Sequence, residues 1–144
     1  MTVEVTIRDA RDEDAAALAT LLTQLGYPTD PADVPQRMAR MRAETGQHIF
    51  VAEADGHVVG TATVIVRHLI TRDAPFGRLA SVVVLEGWRS KGIGRLLIAE
   101  AERICRAGGC SVIEVTSAGH RDGAHEFYRR LGYDEKPQRF LKTL

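Results

Sequence analysis

Residues 89 to 95 read Arg-Ser-Lys-Gly-Ile-Gly-Arg, and the composition of that run suits it to holding an anion. It lies between the apolar stretch Ser81-Val82-Val83-Val84-Leu85 and a long amphipathic segment. A strand that feeds a glycine-bearing loop into a helix start collects several unpaired backbone N–H groups at one point, and phosphate is their usual ligand. Gly92 and Gly94 let a ligand reach the backbone without meeting a Cβ. Arg89, Lys91 and Arg95 add positive charge on the same turn. Two glycines can also do nothing more than make a tight turn. The spacing Arg-x-x-Gly-x-Gly matches neither the GxGxxG of dinucleotide binders nor the GxxxxGK[ST] of P-loops, and no repeated β-α-β units follow it as a Rossmann fold would require.

The elements that must position this loop are legible in the periodicity. Val3 to Arg8 alternates as a half-buried strand. Asp12, Glu13 and Asp14 suit a helix N-terminus, and Ala15, Leu18, Leu22 and Leu25 form its apolar stripe before Gly26 and Pro28 end it. A second helix is expected from Asp33, with Gln36 as capping-box partner, Pro35 in its first turn, and Val34, Met38 and Met41 inward. Gln47 to Glu53 and Val58 to His68 flank Asp55-Gly56, a two-residue hairpin signal. Phe76 to Leu85 is a third strand. A helix from about Gly92 to Ala107 carries Ile93, Leu96, Leu97, Ala101, Ile104 and Cys105 at helical spacing and stops at Gly108-Gly109. Ser111 to Thr116 reads as a strand and Asp122 to Leu131 as a short helix closed by Gly132. Two short strands are expected in the tail, one near Tyr133 and one over Gln138 to Leu144. Hairpins followed by a single β-α-β crossover imply an α/β (α+β) fold: a central mixed, mostly antiparallel sheet of six to seven strands flanked by about four helices.

Composition narrows the class. The 144 residues suffice for one domain, expected over 1–144, and are 44% hydrophobic and 26% charged. Nineteen basic and nineteen acidic residues give a net charge of zero, which argues against a globally basic nucleic-acid binder. No apolar run approaches a membrane span, and the first residues lack the order of a signal peptide. The two cysteines, Cys105 and Cys110, read as buried reduced thiols, and a cytoplasmic protein without metal-ligand spacing is expected.

The run Ser81 to Val84, Arg89-Ser90-Lys91-Gly92-Ile93-Gly94 and Leu96-Leu97 resembles the acyl-CoA loop of the GNAT superfamily of acyl-CoA-dependent N-acyltransferases. Ala124-His125-Glu126-Phe127-Tyr128-Arg129-Arg130-Leu131-Gly132-Tyr133 is similar to its second signature, A-x-x-[FL]-Y-x-x-x-G-[FY]. The two motifs stand in the family's order, with one helix and one strand between them.

The resemblance implies a donor, acetyl-CoA, as co-substrate and no metal. It implies that the amides of Arg89, Ser90, Lys91, Gly92, Ile93, Gly94 and Arg95 hold the pyrophosphate of coenzyme A. It further implies that Val82, Val83 and Val84 lie on a strand splayed from its parallel neighbour, pairing with the pantetheine arm as an added strand would. An N–H of Val82 or Val83 would polarise the thioester carbonyl. Tyr128 matches the family's general acid for the leaving thiolate, though an amphipathic helix would also place it there for packing. Tyr133 suits the core. Arg121 stands where many members carry Asn, and either reaches a phosphate or is solvated at a helix start; Ser117 and Asp122 are alternative caps.

The base that accepts the amine's proton is less marked. His120, beside the end of the parallel strand, leads the candidates, with Glu114 and Glu53 behind it, His68 and His125 lower, and a water chain equally compatible. In the family, acceptor specificity comes from the first two helices and the loop between the third and fourth strands. That points to Tyr27 as a pocket wall, to Asp30 and Asp33, to residues 68–76, and to Glu114 as a substrate contact. The expected activity is acetyl transfer from acetyl-CoA to a primary amine by direct attack in a ternary complex. The acceptor would be a small amine (aminoglycoside-like compound, polyamine or amino acid) or a protein amino group. A non-catalytic acyl-CoA sensor is the alternative, a nucleotide-binding protein a third reading, and a homodimer is compatible with either of the first two.

Overall fold

The computed structural model describes residues 3–116, 123–136 and 140–144. Its core is a five-stranded sheet in the sequential order β1 (Val5–Asp9), β2 (Gln47–Ala54), β3 (His57–Arg67), β4 (Phe76–Val84) and β5 (Val112–Val115). The first four strands are antiparallel and β5 runs parallel to β4. The β2–β3 turn is made by Asp55 (φ 51°) and Gly56 (φ 76°), two left-handed residues whose twist matches that of the strands they join.

Helices cover both faces. On one, α3 (Ile93–Ala107) buries Ile93, Leu97, Ile98, Ala101 and Cys105 against Phe50, Ala62, Val64 and Leu79. Burial of each large aliphatic side chain is worth about 2 kcal/mol. The helix sits close because β3 offers Gly60: a Cβ there would stand 3.1 Å from Leu97 Cδ1 and 3.3 Å from Ile93 Cγ2. The short helix α4 (Ala124–Arg130) packs on the same side through Phe127 and Tyr128. On the opposite face, α1 (Ala15–Leu25) and α2 (Val34–Ala43) enclose a second cluster of Leu18, Ala19, Val34, Met38 and Val51. No helix of the described residues is long and apolar enough to cross a membrane.

Several local details differ from the periodicity. The tail forms no strand among its described residues, so the sheet has five strands rather than six or seven. Tyr133 instead packs on Tyr128 and its hydroxyl donates to Glu102 Oε2 at 2.8 Å, while Phe140 and Leu141 stand exposed. The helix α1 turns Leu21 inward where Leu22 was expected, since Leu21 is fully buried and Leu22 is half-buried. At the second helix Asp30, not Asp33, supplies the cap: its Oδ1 accepts from Ala32 N at 2.9 Å, and Pro31 opens a preceding 3-10 turn.

The acidic run before α1 also does more than cap a helix. The Arg8 guanidinium donates to both oxygens of Asp14 at 2.9 Å and to Glu53 Oε2 at 2.7 Å, and Asp14 Oδ2 also accepts from Arg11 N at 2.8 Å. This network ties β1, β2 and the start of α1 together. The Arg8 guanidinium is the main cause holding the Asp14 carboxyl below its ordinary range, against the opposing effect of burial. A carboxyl so depressed contributes its full stability above the unfolded pKa of about 3.9 and loses it as pH falls through the lower folded value. Asp14→Asn is expected to lower unfolding free energy at pH 7 by about 3 kcal/mol. In urea denaturation at pH 7 and pH 2.5 the difference from wild type should shrink at the lower pH.

Candidate active site

The site begins at a register fault. Thr63 pairs with Ser81 and Val64 with Leu79, so Ala80 is an extra residue in β4. A bulge bends its strand, and here the parallel pairing with β5 ends beside it, at Leu79 and Val115. From Ser81 to Val84, β4 keeps its β3 partner and has no β5 partner among the described residues.

Which backbone groups are left open follows from the ladder. Leu85 N donates to Val59 O at 2.8 Å. By alternation Val83 also turns its N–H and C=O toward β3, while Val82 and Val84 turn theirs into the split. Val83 is therefore removed from the expected backbone contacts, and its side chain is buried. The Val84 carbonyl is already taken: Gln24 of α1 donates Nε2 to it at 2.9 Å and accepts from Glu86 N through Oε1, also at 2.9 Å. Val82 carries the open N–H and C=O. Gln24 was missed because a lone polar residue on an amphipathic helix gives no sign that it will meet a strand end sixty residues on.

The chain then turns into α3. Trp88 N bonds Leu85 O at 2.9 Å, Ser90 takes φ 63° and Gly92 takes φ 82° as the residue before the helix. Alternating right- and left-handed residues turn successive N–H groups to one side, forming an anion nest. Among the described residues, no hydrogen bond uses the N–H of Arg89, Ser90, Lys91, Gly92, Ile93, Gly94 or Arg95. Arg89, Ser90, Lys91, Gly92 and Arg95 are exposed, whereas Ile93 is buried and anchors the turn.

The second motif comes to the same place. A Cβ on Gly94 would stand 3.4 Å from Phe127 Cζ and 3.8 Å from Val84 Cγ2, so α4 rests on the first turn of α3 and on the end of β4. Tyr128 meets Phe127 edge-on at 5.4 Å and Tyr133 at 5.8 Å between ring centres. Both tyrosine rings are partly buried against the α3 core, and burial, then its bond to Glu102, push the Tyr133 phenol above the ordinary range.

The remaining candidates separate. Glu53 is paired to Arg8 and is structural. Glu114 is exposed on β5, level with Arg78 of β4. Tyr27 is 64% exposed on the α1–α2 connection. His125 lies 3.4 Å from Glu135. His120 and Arg121 lie outside the described residues, as do Ser117 and Asp122. Burial, with Cys110 alongside, pushes the Cys105 thiol up to about 11, so it is protonated at neutral pH and unsuited to a covalent acyl intermediate.

A family model described as the acetyltransferase (GNAT) family matches residues 13–133. The chain belongs to the GNAT acetyltransferases. It is an acyl-CoA-dependent N-acyltransferase, in keeping with its relatives. It is 29% identical over 139 residues to an aminoalkylphosphonate N-acetyltransferase of Salmonella typhimurium, covering 96% of this chain and 90% of that one. It is 27% identical over 138 residues to a glucosamine 6-phosphate N-acetyltransferase of Trypanosoma brucei brucei, covering 91% and 90%. The structure of a putative acetyltransferase from Agrobacterium tumefaciens superposes with a TM-score of 0.85 at 28% identity, covering 96% and 99%. The fold of the described residues is thus that of a GNAT domain.

Two glycines of the loop should respond differently to a methyl group. Gly92→Ala forces a left-handed alanine, costing about 1 kcal/mol, and should weaken coenzyme A binding roughly fivefold by calorimetric titration. Gly94→Ala meets only ordinary contact with Phe127 and should bind within about twofold of wild type. Gln24→Leu strips the Val84 carbonyl and Glu86 N–H of their partner and should lower the unfolding free energy by about 1–2 kcal/mol, read by urea denaturation.

Proposed function

We propose that residues 1–144 act as a single cytoplasmic acetyltransferase domain that moves the acetyl group of acetyl-CoA to a small primary amine. One observation carries this reading: the open strand segment at Val82, the N–H nest at residues 89–95 and the Tyr128 helix meet at one point. The pantetheine arm would pair with Val82 in the split, as an extended amide chain adds to a strand edge. Its pyrophosphate would lie on the N–H groups of Ser90 to Gly94, with Arg89, Lys91 and Arg95 around it.

In this arrangement the Val82 N–H donates to the thioester oxygen and stabilises the negative charge that develops there. The amine nitrogen attacks the carbonyl carbon, and the tetrahedral intermediate collapses with cleavage of the C–S bond. The Tyr128 hydroxyl gives its proton to the departing thiolate, whose ordinary pKa of about 8.5 lies within reach of a phenol near 10. The attacking nitrogen loses its proton to water or to His120. No enzyme-bound acyl group is needed, in keeping with the protonated Cys105. A small-molecule acceptor is favoured over a protein amino group because the named relatives act on an aminoalkylphosphonate and on glucosamine 6-phosphate.

Thiol release from acetyl-CoA across a panel of small amines tests the reading. At least one amine should raise the rate over hydrolysis by more than about a hundredfold. Tyr128→Phe should lower kcat about a hundredfold, the ordinary worth of a positioned general acid, with KM for acetyl-CoA nearly unchanged. An unchanged kcat would remove Tyr128 from the chemistry.

A further inference from the structure

One cation near the split lies apart from the loop of residues 89–95. Arg78 lies on β4 four residues before Val82, on the face opposite α3, since its neighbour Leu79 belongs to the α3 core. Its side chain reaches along β5, where Nη2 approaches Thr116 Oγ1 at 3.3 Å. The Nε atom is fully buried and is the lone buried side-chain nitrogen or oxygen without a hydrogen-bond partner among the described residues. Glu114 stands level with Arg78 across the ladder, yet no ion pair to Arg78 forms among the described residues. Further along β3 and β4, the hydroxyls of Thr63 and Ser81 bond each other at 2.6 Å.

A guanidinium presents five N–H donors in a rigid fork. Holding one partly out of water with a single long contact to a hydroxyl is unfavourable unless an anion completes it. The place is also suggestive. The α3 and α4 helices cover one face of the split, so on the proposed reading an acceptor reaches the thioester from the other. There α1 is fixed to β4 at Val84 and α2 packs with Val51 of β2, leaving the Arg78 end of β4 to neither.

We infer that Arg78 is an acceptor-binding residue that selects small primary amines bearing a phosphonate, phosphate or carboxylate group. The anion would take the guanidinium at its Nη atoms, and the hydroxyl of Thr116, 3.3 Å from Nη2, is placed to donate to it as well. Four strand residues cover roughly 13 Å, less across a bulge, and the arginine side chain spans part of that. The amine and the anion are therefore joined by a short spacer of a few atoms. Polycationic acceptors are disfavoured, because they would bring a second positive charge against Arg78.

This inference rests on the proposed acetyl transfer, and the experiment has two arms so that the two can fail separately. In the first, kcat/KM is compared between matched amines, 2-aminoethylphosphonate and O-phosphoethanolamine against ethanolamine and spermidine. The anionic amines should be preferred at least tenfold, and Arg78→Met should abolish the preference chiefly through KM, with Arg78→Lys restoring part of it. Equal or reversed preference in the wild type overturns the selection whatever the variants do. In the second arm, methylphosphonate is titrated into wild type and Arg78→Met, both saturated with coenzyme A so that the loop of residues 89–95 is occupied. Binding to the wild type that is lost in the variant supports the site even if no amine turns over, in which case acetyl transfer fails alone. No binding, or equal binding to both proteins, overturns it.

Discussion

The extra residue at Ala80 is the constraint on which the site depends. Up to Leu79 the fourth strand shares a parallel ladder with the fifth. The bulge bends the chain, the ladder stops, and the next residues are left holding backbone groups that a continuous sheet would have consumed. Unpaired N–H and C=O groups inside a protein need partners. The alternation of the ladder then separates the residues of the Val82–Val84 run: Val83 serves β3, Val84 is held by Gln24, and Val82 faces the opening.

Everything around that opening works to keep it in place. Gly60 lets α3 sit close on β3, so Ile93 and Leu97 anchor the helix whose first turn carries the anion nest. Gln24 reaches from α1 to the end of β4 and to the start of the loop. The Arg8, Asp14 and Glu53 network in turn fixes the start of α1 against the first two strands. Phe127 rests against Gly94, bringing the later motif onto the earlier one. A rigid frame of this kind suits a reaction whose catalysis comes from holding two substrates in register rather than from a reactive side chain.

The two faces of the split are chemically unlike. On one side lie an exposed glycine and the exposed cations Arg89, Lys91 and Arg95, around backbone N–H groups suited to an anion. On the other side the partly buried Arg78 guanidinium meets the hydroxyl of Thr116. Donor recognition through backbone amides tolerates changes in the surrounding side chains, because the N–H groups belong to the chain conformation. Acceptor recognition through a side chain changes with one substitution, which fits a family whose named relatives act on different amines.

The sequence by itself determined the donor side and the order of elements. The Asp55-Gly56 turn, the α3 stripe, the Arg-x-x-Gly-x-Gly loop and the Tyr128 helix are local patterns, each written within one turn or one face of an element. Only the tertiary structure decided the split, the Gln24 clamp, the pairing of Glu53 with Arg8, the burial of Arg78 Nε and the absence of a strand among the described tail residues. Nothing in the run Leu79-Ala80-Ser81 announces a bulge, because a register fault is a property of two strands and not of one. Likewise Gln24, Glu53 and Arg78 are ordinary polar residues in periodic segments until the fold brings a strand end, a cation or a neighbouring strand beside them. Local chemistry is set by nearest neighbours along the chain; which charge is paired and which is left waiting is set by neighbours in space.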